Sequence, residues 1–172
     1  MNTTRRMVLA AMLSALGSVI LLLGSLADFL DLAAVLLASF LIVFAVLELR
    51  GPWPYLTYAV TALLAFLLLQ LRAVVFEYAL FGGIYPIMKY LAEKLPRTPS
   101  YLIKLGFFNL SVAAIAYLSF ALLGMKLRFG APHIAVLLVL CNAVFMLYDY
   151  TLTRLIWRYC ISIRPRFRRL LK

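Results

Sequence analysis

Runs of about 18 or more mostly apolar residues recur along the whole chain, each long enough to cross about 30 Å of hydrocarbon as a helix. A bilayer core offers no water to backbone N–H and C=O groups, so a spanning segment must be a helix or part of a closed barrel. Barrel strands read as short alternating segments, and no such alternation occurs here. The composition agrees, since 66% of the 172 residues are apolar where a soluble domain is nearer half. The expectation is an all-α polytopic bundle in which residues 1–172 form a single transmembrane domain.

The spacing predicts six spans: Met7 to Leu26, Leu32 to Leu49, Tyr55 to Leu71, Ala73 to Leu91, Tyr101 to Gly124 and Pro132 to Trp157. The first resembles a signal peptide in outline, but its apolar run is longer than an h-region and is read as a helix. Pro52 and Pro54 stop the second span, and the segments EKLPRTPS and KLRFGAP separate the last three. The third and fourth spans are separated only by Arg72, so their turn must borrow residues counted as helical.

Charge fixes the expected orientation. The formal net charge is +11, and with both termini inside, fourteen of the seventeen lysines and arginines fall on the cytoplasmic side. Only Arg72, Lys126 and Arg128 fall outside, as the positive-inside rule requires of an even number of spans. The basic tail, residues 158–172, would lie against anionic lipid of the inner leaflet. Nucleic acid is not the expected partner; the bilayer accounts for the charge.

No catalytic or metal-binding constellation is present. His133 is the lone histidine, Cys141 and Cys160 lack metal-ligand spacing, and there is no phosphate loop or nucleophile elbow. The chain is not expected to be an enzyme, to use a cofactor or to hold a metal. Polar residues within spans are more telling, because each costs free energy unless it finds a partner. Asn109 lies in the fifth span, and Asn142 and Asp149 share a face of the sixth, with Arg154 near enough in sequence to pair with Asp149. Interhelical bonds are the plain role for the asparagines, each worth about 0.6 kcal/mol. On the outer side, Asp28, Asp31, Arg72, Glu77, Tyr78, Lys126 and Arg128 come from three connections and could hold a small polar solute by charge-assisted bonds.

The fourth span contains Gly82, Gly83 and Pro86 at its centre. Glycine admits a close neighbour, and Pro86 cannot donate to the Gly82 carbonyl, so the helix should open there. Such an opening survives only where protein or a watered cavity satisfies the freed groups. Two roles fit: a close-packed kink, or the broken helix of a solute-binding transporter. Either way this span belongs in the bundle interior. The first span carries small residues at four-residue spacing, Ala10, Ser14 and Ser18 on one stripe and Ala11 and Ala15 on another, suited to docking a helix of this chain or of a partner.

The basic N-terminus followed by TRRMVLAAMLSALGSVILLLG, with its Ala11-xxx-Ala15 pair, resembles the first helix of S components of energy-coupling factor (ECF) transporters. That resemblance covers most of the chain and implies an S-component-like six-helix fold in a bacterial cytoplasmic membrane, with both termini inside. It implies capture of a small micronutrient from outside, near Asp28, Asp31, Arg72, Glu77, Tyr78, Lys126 and Arg128. It further implies docking through Ala11 and Ala15 onto a transmembrane subunit driven by two ATPases. Two other functions suit the same outline. One is a non-transport scaffold similar to the cell-shape protein MreD, and the other is a transporter of lipid-linked intermediates.

Overall fold

A computed structural model describes residues 3–26, 30–49, 51–69, 72–124 and 131–164. Among the described residues the chain is helical, with no strand. Its helices are α1 (Thr3–Gly24), α2 (Asp31–Glu48), α3 (Trp53–Leu69), α4 (Ala73–Glu77), α5 (Tyr85–Ala92), α6 (Arg97–Leu123) and α7 (Ala131–Arg158). A π-helical turn, Tyr78–Gly82, joins α4 towards α5, and a second, Tyr159–Ile163, follows α7. Four helical stretches, Thr3–Gly24, Asp31–Glu48, Arg97–Leu122 and His133–Ile161, are long and apolar enough to cross a membrane. They mark the chain as a membrane protein. The 17 residues of α3 are equally apolar in character but about one residue short of that length.

Sequence signals account for the helix ends. Gly51, at φ +68°, turns the chain between α2 and α3, and Gly124, at φ +63°, closes α6 in the left-handed conformation that glycine adopts without strain. Pro54 falls in the first turn of α3, where a missing N–H leaves no bond unmade. The expected turn between the third and fourth spans lies largely at Gln70 and Leu71, outside the described residues; Arg72, at ψ 157°, is already extended.

The chain divides into two compact units, Met1–Lys126 and Leu127–Lys172. In the first, α1 packs on α2 and α3 through its small residues. Ala10, Ser14, Gly17, Ser18, Leu21 and Gly24 form its buried stripe. Ser14 Oγ donates to its own Ala10 carbonyl at 2.9 Å and reaches the Thr57 carbonyl of α3 at 3.3 Å. A Cβ on Gly17 would lie 3.1 Å from Thr61 Cγ2, so the Thr61 side chain of α3 packs directly onto the α1 backbone. Thr57 and Thr61 donate to carbonyls one turn back in α3, which keeps their hydroxyls satisfied inside the contact. Ala11 and Ala15, the other stripe, are exposed. Leu21, Val35, Ala38, Ile42, Ala65, Leu69, Val74, Val75, Tyr78 and Ile87 make the main core, drawn from α1 to α5. The second unit is α7 with its π-helical extension, mostly exposed and apolar, with Phe145, Asp149 and Leu152 buried.

Gly24 shows how tight the first unit is: a Cβ there would overlap the Ala34 Cβ of α2. Gly24→Ala is therefore expected to destabilise the protein by about 1–3 kcal/mol. Gly106→Ala, in α6 with nothing within 4 Å of the new methyl, should be neutral or gain up to about 1 kcal/mol. Thermal unfolding in mild detergent checks both.

Candidate functional site

The predicted fourth span is not one helix. It runs as the five residues of α4, a π turn, a bend at Gly83 and Ile84, and the eight residues of α5. Pro86 sits in the first turn of α5, directly after the interruption at Gly83 and Ile84, and it has no N–H to offer the Gly82 carbonyl. The ladder also widens one turn earlier, where Gly83 N donates to Tyr78 O at 2.7 Å, five residues back instead of four.

Glycine is required here by space. A Cβ on Gly82 would strike Val35 of α2, and one on Gly83 would lie 2.6 Å from Tyr58 Cδ2 of α3 and 2.8 Å from Tyr78 Cζ. Widening the helix misaligns carbonyls of the π turn, and side chains of two other helices meet them. Tyr58 donates its hydroxyl to Ala79 O at 2.7 Å, and Ser111 of α6 donates to Leu80 O at 3.0 Å. Rings complete the packing: Phe81 lies edge-on to Phe108 at 5.4 Å between centroids and against Tyr85 at 5.2 Å, and Tyr58 lies 6.3 Å from Tyr78. The break is thus filled by protein. Sequence reasoning singled out its glycines but missed Tyr58 and Ser111, whose only signal was a hydroxyl inside an apolar run.

Three of the expected solute-binding residues, Arg72, Asp31 and Glu77, lie at the end of the unit where α1 meets α2, while the fourth, Tyr78, is buried in the core. Arg72 caps the start of α4 and donates from Nη1 to the Ser25 carbonyl just beyond α1, tying those two connections together. Asp31 lies in the first turn of α2, where a carboxylate is favoured by the helix dipole. It is near enough to Glu77, the last residue of α4, for the two charges to interact. Glu77 Oε2 and the Tyr78 hydroxyl are both buried without a hydrogen-bond partner among the described residues; the Tyr78 hydroxyl lies near Thr61 without meeting bonding geometry. The remaining expected residues of this group, Asp28, Lys126 and Arg128, lie outside the described residues.

Elsewhere, Asn109 and Asn142 each donate to the carbonyl four residues back in their own helix, Leu105 O at 2.9 Å and Leu138 O at 2.8 Å. Asp149 is buried in α7, while the exposed Arg154 bonds the Tyr150 hydroxyl at 3.0 Å and lies over its ring. At the other end of the first unit is a charged cluster whose lysines enter the sequence analysis only in the count of cytoplasmic-side basic residues. Lys89 is 1% exposed, and its Nζ lies 2.8 Å from Glu93 Oε1; Lys104 Nζ, also buried, lies 3.1 Å from the same oxygen. The i, i+4 spacing of Lys89 and Glu93 was the available signal. Among the described residues no group of histidine, cysteine, aspartate or glutamate side chains could hold a metal ion.

No family model matches the chain, and no curated protein or solved structure matches it either.

Removing either hydroxyl that serves the π turn leaves a buried carbonyl unmet, at a cost of about 1–3 kcal/mol. Tyr58→Phe and Ser111→Ala should each lower the thermal midpoint in detergent. The exposed Thr151→Val, which removes only a bond to its own helix, should change it little.

Proposed function

We propose that this chain is a solute-binding membrane subunit of an ECF-type importer, seated in a bacterial cytoplasmic membrane as six spans with both termini inside. The observation that carries this reading is Glu77 Oε2, buried without a hydrogen-bond partner among the described residues and close enough to Asp31 for the two charges to interact. A buried polar atom left unmade costs about 1–3 kcal/mol. A small solute presenting an N–H or O–H to Glu77 recovers that cost. Arg72, exposed and flanking, supplies a charge for an anionic group on the same solute. Ala11 and Ala15 support the docking part of the reading. They face away from the stripe that packs on α2 and α3, and so stay available to a transmembrane subunit coupled to ATPases.

The second reading, a non-transport scaffold of MreD type, is favoured by the filled break at Gly82 and Gly83, which leaves no room for a solute at that depth. Transport of a lipid-linked intermediate has the same difficulty at the break.

A thermal-shift screen of the purified protein against small polar solutes separates the first two. A solute at one hundred times its dissociation constant adds about 2.7 kcal/mol of stability. The importer reading expects at least one such solute, with the shift abolished in Glu77→Ala while the variant remains folded. A shift that survives Glu77→Ala contradicts the site. A screen with no hit, together with envelope-assembly proteins co-purifying in place of a transmembrane subunit and ATPases, supports the scaffold.

A further inference from the structure

The connection from α5 to α6 carries a second surface that solute capture does not use. Over residues 78–124 the basic side chains are Lys89, Lys94, Arg97 and Lys104, and the one acid is Glu93. Glu93 is held from within, since the buried Lys89 and Lys104 both reach its Oε1. Its charge is therefore engaged by those two ammonium groups and does little to offset the two exposed cations beside it. Lys94 lies over the Tyr90 ring, 4.5 Å from the centroid, and Arg97 is the first residue of α6.

Position says what this pair meets. Arg97 opens a helical stretch long and apolar enough to cross a membrane, so its first turn lies at the depth of lipid headgroups. The flanking exposed side chains are Tyr90, Tyr101, Leu91, Leu95 and Leu102. Tyrosine concentrates at the membrane interface, with its ring in the apolar region and its hydroxyl in the wet one. Guanidinium and ammonium groups are the usual partners of phosphate oxygens. We propose that Lys94 and Arg97, framed by Tyr90 and Tyr101, bind the phosphate of an anionic phospholipid whose acyl chains lie along the exposed leucines. A free phosphate shares the headgroup chemistry but gains nothing from the leucines and tyrosines.

The test is native mass spectrometry of the full-length protein in detergent, titrated with phosphatidylglycerol and, separately, phosphatidylcholine. A basic residue at an anionic lipid surface contributes about fivefold in affinity, so Lys94→Ala plus Arg97→Ala should weaken phosphatidylglycerol binding roughly 25-fold. Phosphatidylcholine should bind weakly to both proteins, and millimolar inorganic phosphate should not displace phosphatidylglycerol. The charge-preserving pair Lys94→Arg plus Arg97→Lys should retain binding, which keeps the test informative if the alanine variant folds poorly. Unchanged phosphatidylglycerol affinity in the alanine variant overturns the proposal. So does equal binding of phosphatidylcholine, or loss of binding only when Arg166, Arg168 and Arg169 of the tail are replaced by alanine. Displacement by inorganic phosphate overturns the lipid as the source of the anion.

Discussion

The first unit depends on how closely the backbone at Gly82 and Gly83 approaches α2 and α3. With no side chains there, Val35 and the Tyr58 ring press directly on the turn. That approach would be ruinous in hydrocarbon if the widened turn left its carbonyls bare. The same closeness supplies the remedy, since it brings the Tyr58 hydroxyl to Ala79 O and lets Ser111 reach Leu80 O. Glycine, π turn and hydroxyl caps are one device, and none of the three makes sense without the others.

The device explains the neighbouring chemistry. Tyr78, the first residue of the π turn, points into the core, where it is fully buried, while Glu77 stays at the end shared with Arg72 and Asp31. Small residues on α1 do comparable work on the other side of the unit. Gly17, Gly24 and Ser14 draw α1 against α2 and α3, and α2 is the helix that supplies both Asp31 and Val35. The polar end and the packed break are thus fixed by one set of close helix contacts.

Much of the architecture was legible because it rests on length and spacing. Helix positions followed from apolar runs, and Gly51, Gly124 and Pro54 fell where turns and first turns require them. The fourth span was read as interrupted and interior, and Gly82 and Gly83 are at the interruption. Pro86 follows that interruption in the first turn of α5, and the π turn ahead of it has no signal in the apolar periodicity. The hydroxyl caps were not legible because they join residues 21 and 31 positions apart, and nothing local at Tyr58 or Ser111 announces a distant carbonyl. Lys89 and Lys104 count among the basic residues of the cytoplasmic side, yet both are buried on Glu93. A count of charges by loop cannot see a side chain that turns inward. Spacing alone does not distinguish the two small-residue stripes on α1; the structure buries Ala10, Ser14 and Ser18 and leaves Ala11 and Ala15 exposed.

A dry, protein-filled break and a watered one differ most plainly in backbone exchange. Hydrogen–deuterium exchange of the protein in lipid nanodiscs, read at the amides from Tyr78 to Gly83, measures that difference directly. The close-packed break predicts that these amides are protected as strongly as those in the middle of α2, despite the irregular hydrogen bonding. Rapid exchange confined to Tyr78–Gly83, with α2 and α3 still protected, would mean that water reaches the turn and would contradict the account.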